Sequence, residues 1–106
     1  MKKKLTPRTL FGMRLRDARL RTGLPQDRLG VLIGLDEETA SARISRYETG
    51  VHTPPFELVE RMAEVLGLPA AYFYCRDDKL AELISLIYSS KEAVLDEFLA
   101  RLRQVS

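Results

Sequence analysis

The 106-residue chain has no tryptophan, a single cysteine and a single histidine. Cys75 alone cannot close an internal disulfide, and one imidazole, His52, offers no cluster with metal-ligand spacing, so neither a staple nor a metal is expected. Cys75 reads instead as a small, partly buried hydrophobe. No apolar run approaches the ~20 residues that a membrane-crossing helix needs. The opening MKKKLTPR is charged but leads into an arginine-studded segment rather than an apolar secretory core, which makes cytoplasmic residence the expectation. Also missing are a nucleophile–base–acid set and a glycine-rich phosphate loop, and His52 has no nucleophile beside it. The chain is therefore expected to be no enzyme and to use no cofactor.

What is present is hydrophobic content of 45%, enough for one compact domain with an appendage. The net charge of +2 conceals an uneven distribution. Residues 1–24 hold eight basic groups against Asp17 alone, a net of +7, whereas residues 25–76 carry −3 and residues 77–106 carry −2. A basic tail over residues 1–7 is suited to follow a phosphate backbone or enter a minor groove, or simply to solubilise the chain.

Apolar spacing predicts helices almost throughout, and hence an all-α fold. Residues 9–21 place Phe11, Leu15 and Ala18 on one face. Residues 25–33 do so with Leu29 and Ile33, and residues 41–49 with Ile44 and Tyr47. Gly34 and Gly50 follow the second and third helices where a chain often turns left-handed. HTPP at 52–55 breaks the chain, residues 56–66 form a fourth helix that stops at Gly67, and a short fifth runs over 69–74. Its Tyr72 and Phe73 read as core closure.

The second and third of these segments, GLPQDRLGVLIG at 23–34 and ARISRYETG at 42–50, carry forked cations and a hydroxyl (Arg43, Ser45, Arg46) between apolar positions, groups that suit phosphates and base edges. Arg19, Gly23-Leu24-Pro25-Gln26, Leu29-Gly30, Gly34, Ile44-Ser45 and Glu48-Thr49-Gly50 stand in an order that resembles the Cro/repressor type of helix-turn-helix, the xenobiotic-response-element family of regulators. The resemblance covers about residues 8–75 and implies a five-helix, lambda-repressor-like DNA-binding domain over 8–76. It implies that Gln26 clamps a phosphate at a helix N-terminus. It puts Ser41, Ala42 and Arg43 against base edges, Arg46 one turn further along, and Ser45 and Thr53 on the backbone. It also implies a partly buried Arg19–Glu48 pair that fixes helix orientation. Either Arg43 or Arg46 is suited to read guanine in bidentate fashion.

Three departures from the family pattern stand out. Pro25 replaces the usual Thr or Ser cap, which a first helical turn tolerates. Gly30 replaces an Ala, keeping a small volume for helix approach. Ile44 follows Gly34 by ten positions, about four more than the family has, and the extra DEETAS segment is acidic. Since 3.6 residues make a turn, the insertion either lengthens the recognition helix at its N-terminus or enlarges the turn. It is also expected to fold back over Val31 and Leu32, with Asp36, Glu37 and Glu38 lying off the DNA or shaping the approach to the groove.

Beyond the resemblance, Leu80, Leu83, Ile84 and Ile87 recur at helical spacing, and Leu95, Phe98, Leu99 and Leu102 repeat it. Two amphipathic helices over 77–106, with Ser89 and Glu92 as a capping box, predict a hairpin whose stripes need a partner. A homodimer is the preferred partner, placing two recognition helices ~34 Å apart on a palindromic operator of double-stranded DNA. The functional expectation is thus a DNA-binding regulator acting as a repressor. The alternative is an antitoxin-like or other protein-interaction module whose hairpin holds a protein partner.

Overall fold

The computed structural model describes residues 9–106, and all of its regular elements are helical. These are α1 (Leu10–Thr22), α2 (Gln26–Leu32), α3 (Glu37–Thr49), α4 (Phe56–Leu66), a 3-10 turn (Ala70–Tyr74), α5 (Asp78–Tyr88) and α6 (Glu92–Val105). The all-α class expected from the periodicity is what the chain adopts. The basic tail expected over residues 1–7 lies outside the described residues.

Local chemistry sets most boundaries. Thr9 caps α1 by accepting the Gly12 amide through Oγ1 at 2.9 Å, satisfying one of the donors that every helix start leaves unpaired. Pro25 sits at the N-cap of α2 itself, one position outside the helix that was expected to include it. At the other end of α3, Gly50 takes φ +80°, the left-handed conformation that ends a helix cheaply only when no Cβ is present. The aromatic segment is a 3-10 turn rather than an α-helix.

One stripe of each of α1 to α4 converges on a single core. Leu15, Leu29, Ile33, Ile44, Val59 and Met62 are each at most 1% exposed, and Tyr72 and Phe73 close the core from the turn. Each such side chain contributes roughly 1.5–3 kcal/mol relative to exposure. Phe11 tilts against Phe73 with ring centroids 5.4 Å apart, extending the core along α1.

Three expectations are corrected. The insertion at residues 36–41 does not cover Val31 and Leu32, which remain 38% and 45% exposed, because it is spent in lengthening α3. Ser89 and Glu92 form no capping box. Lys91 occupies the N-cap of α6 without a side-chain bond, while the Ser89 and Ser90 hydroxyls donate back to the Leu86 carbonyl. Ile84, expected on the free stripe, packs against the domain core alongside the buried Ala81. The remaining stripe residues stay accessible: Leu80, Leu83, Phe98, Leu99 and Leu102 are exposed, and Ile87 and Leu95 are half-buried. No residue of α6 is buried.

Candidate nucleic-acid interface

α2 and α3 meet where side chains are smallest. A Cβ built on Gly30 would stand 2.5 Å from the Ala40 Cβ and 3.0 Å from its Cα, so the two helices cross with no room for a methyl group. Ala40 belongs to the acidic insertion and is fully buried. This contact explains why the insertion continues α3 instead of widening the turn: one added turn brings a small residue onto the glycine.

A second close approach, unnoticed in the sequence, joins α1 to the end of α3. A Cβ on Gly12 would collide with the Glu48 carbonyl.

Beneath the outer face of α3 runs a chain of polar contacts. Arg19 Nε donates to Glu48 Oε2 at 2.5 Å and its Nη2 to Oε1 at 3.2 Å, while Nη1 donates to the Leu24 carbonyl at 3.0 Å. The residues are 9% and 3% exposed, so this bidentate pair is shielded from water. Gln26 Nε2 donates to Glu48 Oε1 at 3.1 Å, and Gln26 Oε1 accepts from the Ser41 hydroxyl at 3.2 Å. The start of α2 is thereby tied to both ends of the central stretch of α3, and Gln26 is held half-buried at the helix N-terminus.

Above this support, α3 presents Ser41, Ala42, Arg43 and Arg46 to solvent. Arg43 is steadied by a 3.1 Å bond from Nη2 to the Tyr47 hydroxyl one turn along, and its other donors have no partner among the described residues. Arg46 has no side-chain hydrogen bond or ion pair among the described residues. Ser45 is half-buried, and its carbonyl accepts from Thr49 Oγ1 at 2.9 Å. Thr53 is exposed just after α3, and the His52 amide donates to the Arg46 carbonyl at 3.2 Å. The first turn of α3, Glu37, Glu38 and Thr39, is exposed at the N-terminal end of the helix that carries the two arginines. A helix with its apolar residues locked beneath and forked donors above can enter a major groove N-terminus first.

A family model described as a helix-turn-helix domain matches residues 10–72. The chain belongs to the helix-turn-helix domain family, in the Cro/repressor type that its motif resembles. Among its relatives, the cryptic phage CTXphi transcriptional repressor RstR of Vibrio cholerae is 32% identical over 88 residues, covering 78% of this chain and 76% of that protein. The crystal structure of transcriptional regulator BswR matches with a TM-score of 0.84 and 43% identity, covering 88% of this chain and 92% of that one.

Proposed function

We propose that the protein is a sequence-specific, double-stranded-DNA-binding transcriptional regulator, a repressor that occupies a palindromic operator as a homodimer and performs no catalysis. The observation that carries the reading is the outer face of α3, where Arg43 and Arg46 stand exposed on a helix fixed from below by Arg19, Glu48 and Gln26. Gln26 and Thr53 flank that face as phosphate contacts, Ser41 and Ala42 face base edges, and Ser45 lies toward the backbone. Repression is supported by the relative named as a transcriptional repressor. No helix among the described residues is long and apolar enough to cross a membrane, in keeping with action on DNA in the cytoplasm.

Dimerisation is supported by α5 and α6. An isolated 14-residue helix is marginal in water, yet α6 buries none of its side chains and exposes Phe98, Leu99 and Leu102. On α5, Leu80, Leu83 and Leu86 line a groove of about 520 Å³. The start of α5 carries an acidic excess, Asp77, Asp78 and Glu82 against Lys79, and the end of α6 is basic, with Arg101 and Arg103. A second copy supplies the complementary charge at both places. A different protein seated on the same face is the alternative.

Selection of bound sequences from a random duplex pool, with sedimentation of the free protein, tests the reading. The expected result is a dimer that recovers a palindromic site, which Arg43→Ala and Arg46→Ala each bind at least about tenfold more weakly at fixed salt. Weak, sequence-blind binding by the natural chain would overturn it in favour of the protein-partner alternative.

The acidic first turn of α3 makes a separate prediction. In a groove approach led by that turn, Glu37 and Glu38 come near phosphates and oppose binding to every sequence alike. The Glu37→Gln/Glu38→Gln variant should bind an unrelated duplex roughly three- to tenfold more tightly at 0.15 M salt, read by fluorescence anisotropy. Unchanged non-specific affinity would place both carboxylates off the DNA.

A further inference from the structure

Arg14 lies on α1, away from the reading face, and is 4% exposed. Its guanidinium stacks 5.8 Å from the centroid of the Tyr72 ring, within cation–π range. Nε donates to the Cys75 carbonyl at 2.9 Å and Nη2 to the Arg76 carbonyl at 3.1 Å, and Nη2 also pairs with Asp78 Oδ1 at 3.0 Å. All three acceptors belong to the short non-helical stretch that leaves the domain and to the first residue of α5. Ala81 and Ile84 seat one face of α5 on the domain, but a non-helical stretch before it still leaves its direction of exit free to vary. A planar fork that engages two successive carbonyls removes that freedom in a way a point charge or a methyl group does not.

Five residues along the same helix, Arg19 grips Glu48 at the end of α3. One rigid helix thus carries two buried arginines, one fastened to the reading helix and the other to the root of the C-terminal pair. Stability alone is a poor reason to bury Arg14, since an apolar side chain of similar volume often serves as well. What the fork adds is a fixed angle between α3 and α5.

We infer that Arg14 is a positioning residue that sets the half-site spacing of the operator, an inference that rests on the dimeric reading above. With α5 and α6 joining two copies, the direction in which α5 leaves each domain fixes the separation and relative rotation of the two α3 helices. A fixed pair of helices accepts one spacing, and a swivelling pair accepts several.

The test measures affinity of the full chain for duplexes that carry two copies of the selected half-site at stepwise varied spacing. The natural chain should prefer one spacing about tenfold over sites a few base pairs longer or shorter. Arg14→Met should flatten that profile to within about threefold while the half-site sequence, the dimer and cooperative unfolding persist. A merely structural role would weaken all spacings together. If Arg14→Met does not fold, Arg14→Lys carries the test, because one ammonium cannot span both carbonyls in a fork and the profile should still broaden. A folded variant that keeps the sharp profile overturns the role of Arg14 and leaves the dimeric reading intact. A natural chain with no spacing preference overturns both.

Discussion

Replacing Arg19 by methionine should lower the unfolding free energy by about 3 to 5 kcal/mol, a large part of the ~5 to 15 kcal/mol that a domain of this size possesses. The substitution keeps the length and apolar body of the side chain, so lost packing is not the main cause. What it leaves behind is a Glu48 carboxylate that is 3% exposed and, among the described residues, keeps only the Gln26 amide as a side-chain donor. The Leu24 carbonyl loses its guanidinium donor as well. An uncompensated buried charge costs far more than the intact pair contributes, because desolvation already offset most of the attraction in the pair. It follows that Arg19→Met/Glu48→Leu should recover much of the loss, although neither charge remains. Denaturant unfolding of the three variants checks this: a single variant within about 1 kcal/mol of the natural chain would mean that water reaches Glu48 and that the pair is not the anchor of α3. The repaired double variant is expected to be stable yet weaker on DNA, since Gln26 would have lost the acceptor that orients it.

The elements that were legible in the sequence are those whose own pattern suffices. The fourth helix is legible over its observed span because its apolar residues recur at helical spacing and a glycine stops it, and five of its eleven residues are buried. The Arg19–Glu48 pair was legible only through the family resemblance, since an arginine and a glutamate 29 residues apart carry no local signal. The start of α3 was not legible. Asp36, Glu37 and Glu38 suit a helix start and a polar turn equally well, and the choice is made by a tertiary contact at Ala40. Ser89 and Glu92 show the converse, a correct local motif overridden where the serine hydroxyl found the Leu86 carbonyl nearer than the next helix. Arg14 was hidden among the basic residues of α1, because its partners return only some sixty positions later in the chain. The DNA-facing assignments of Ser41, Ala42, Arg43, Arg46 and Thr53 agree with their exposure on or beside α3 but depend on the binding experiment.

Gly30→Ala should destabilise the protein, although helix propensity alone favours alanine by up to ~1 kcal/mol at that position. The new Cβ would meet Ala40 Cβ at 2.5 Å and Ala40 Cα at 3.0 Å, and a backbone-linked Cα cannot rotate away. Relief requires α2 and α3 to part, which loosens the cluster around Leu29 and Ile44, and overpacking of this kind costs about 1 to 3 kcal/mol. Ala40→Gly alone should also destabilise, by about 1 kcal/mol, through the backbone entropy of a mid-helix glycine. Combined, the two should be less damaging than their sum, because the methyl group has only changed sides, with a favourable coupling of about 1 kcal/mol or more in a double-mutant cycle. Additive effects would mean that the helices do not touch at this point. Coupling would make two departures from the family pattern into one: glycine stands where alanine is usual because the inserted turn brings its own alanine to the same place. On that account the insertion is part of the core through Ala40, and Ala40→Gly in a protein that keeps Gly30 should leave a gap of about one methyl group beneath the reading helix.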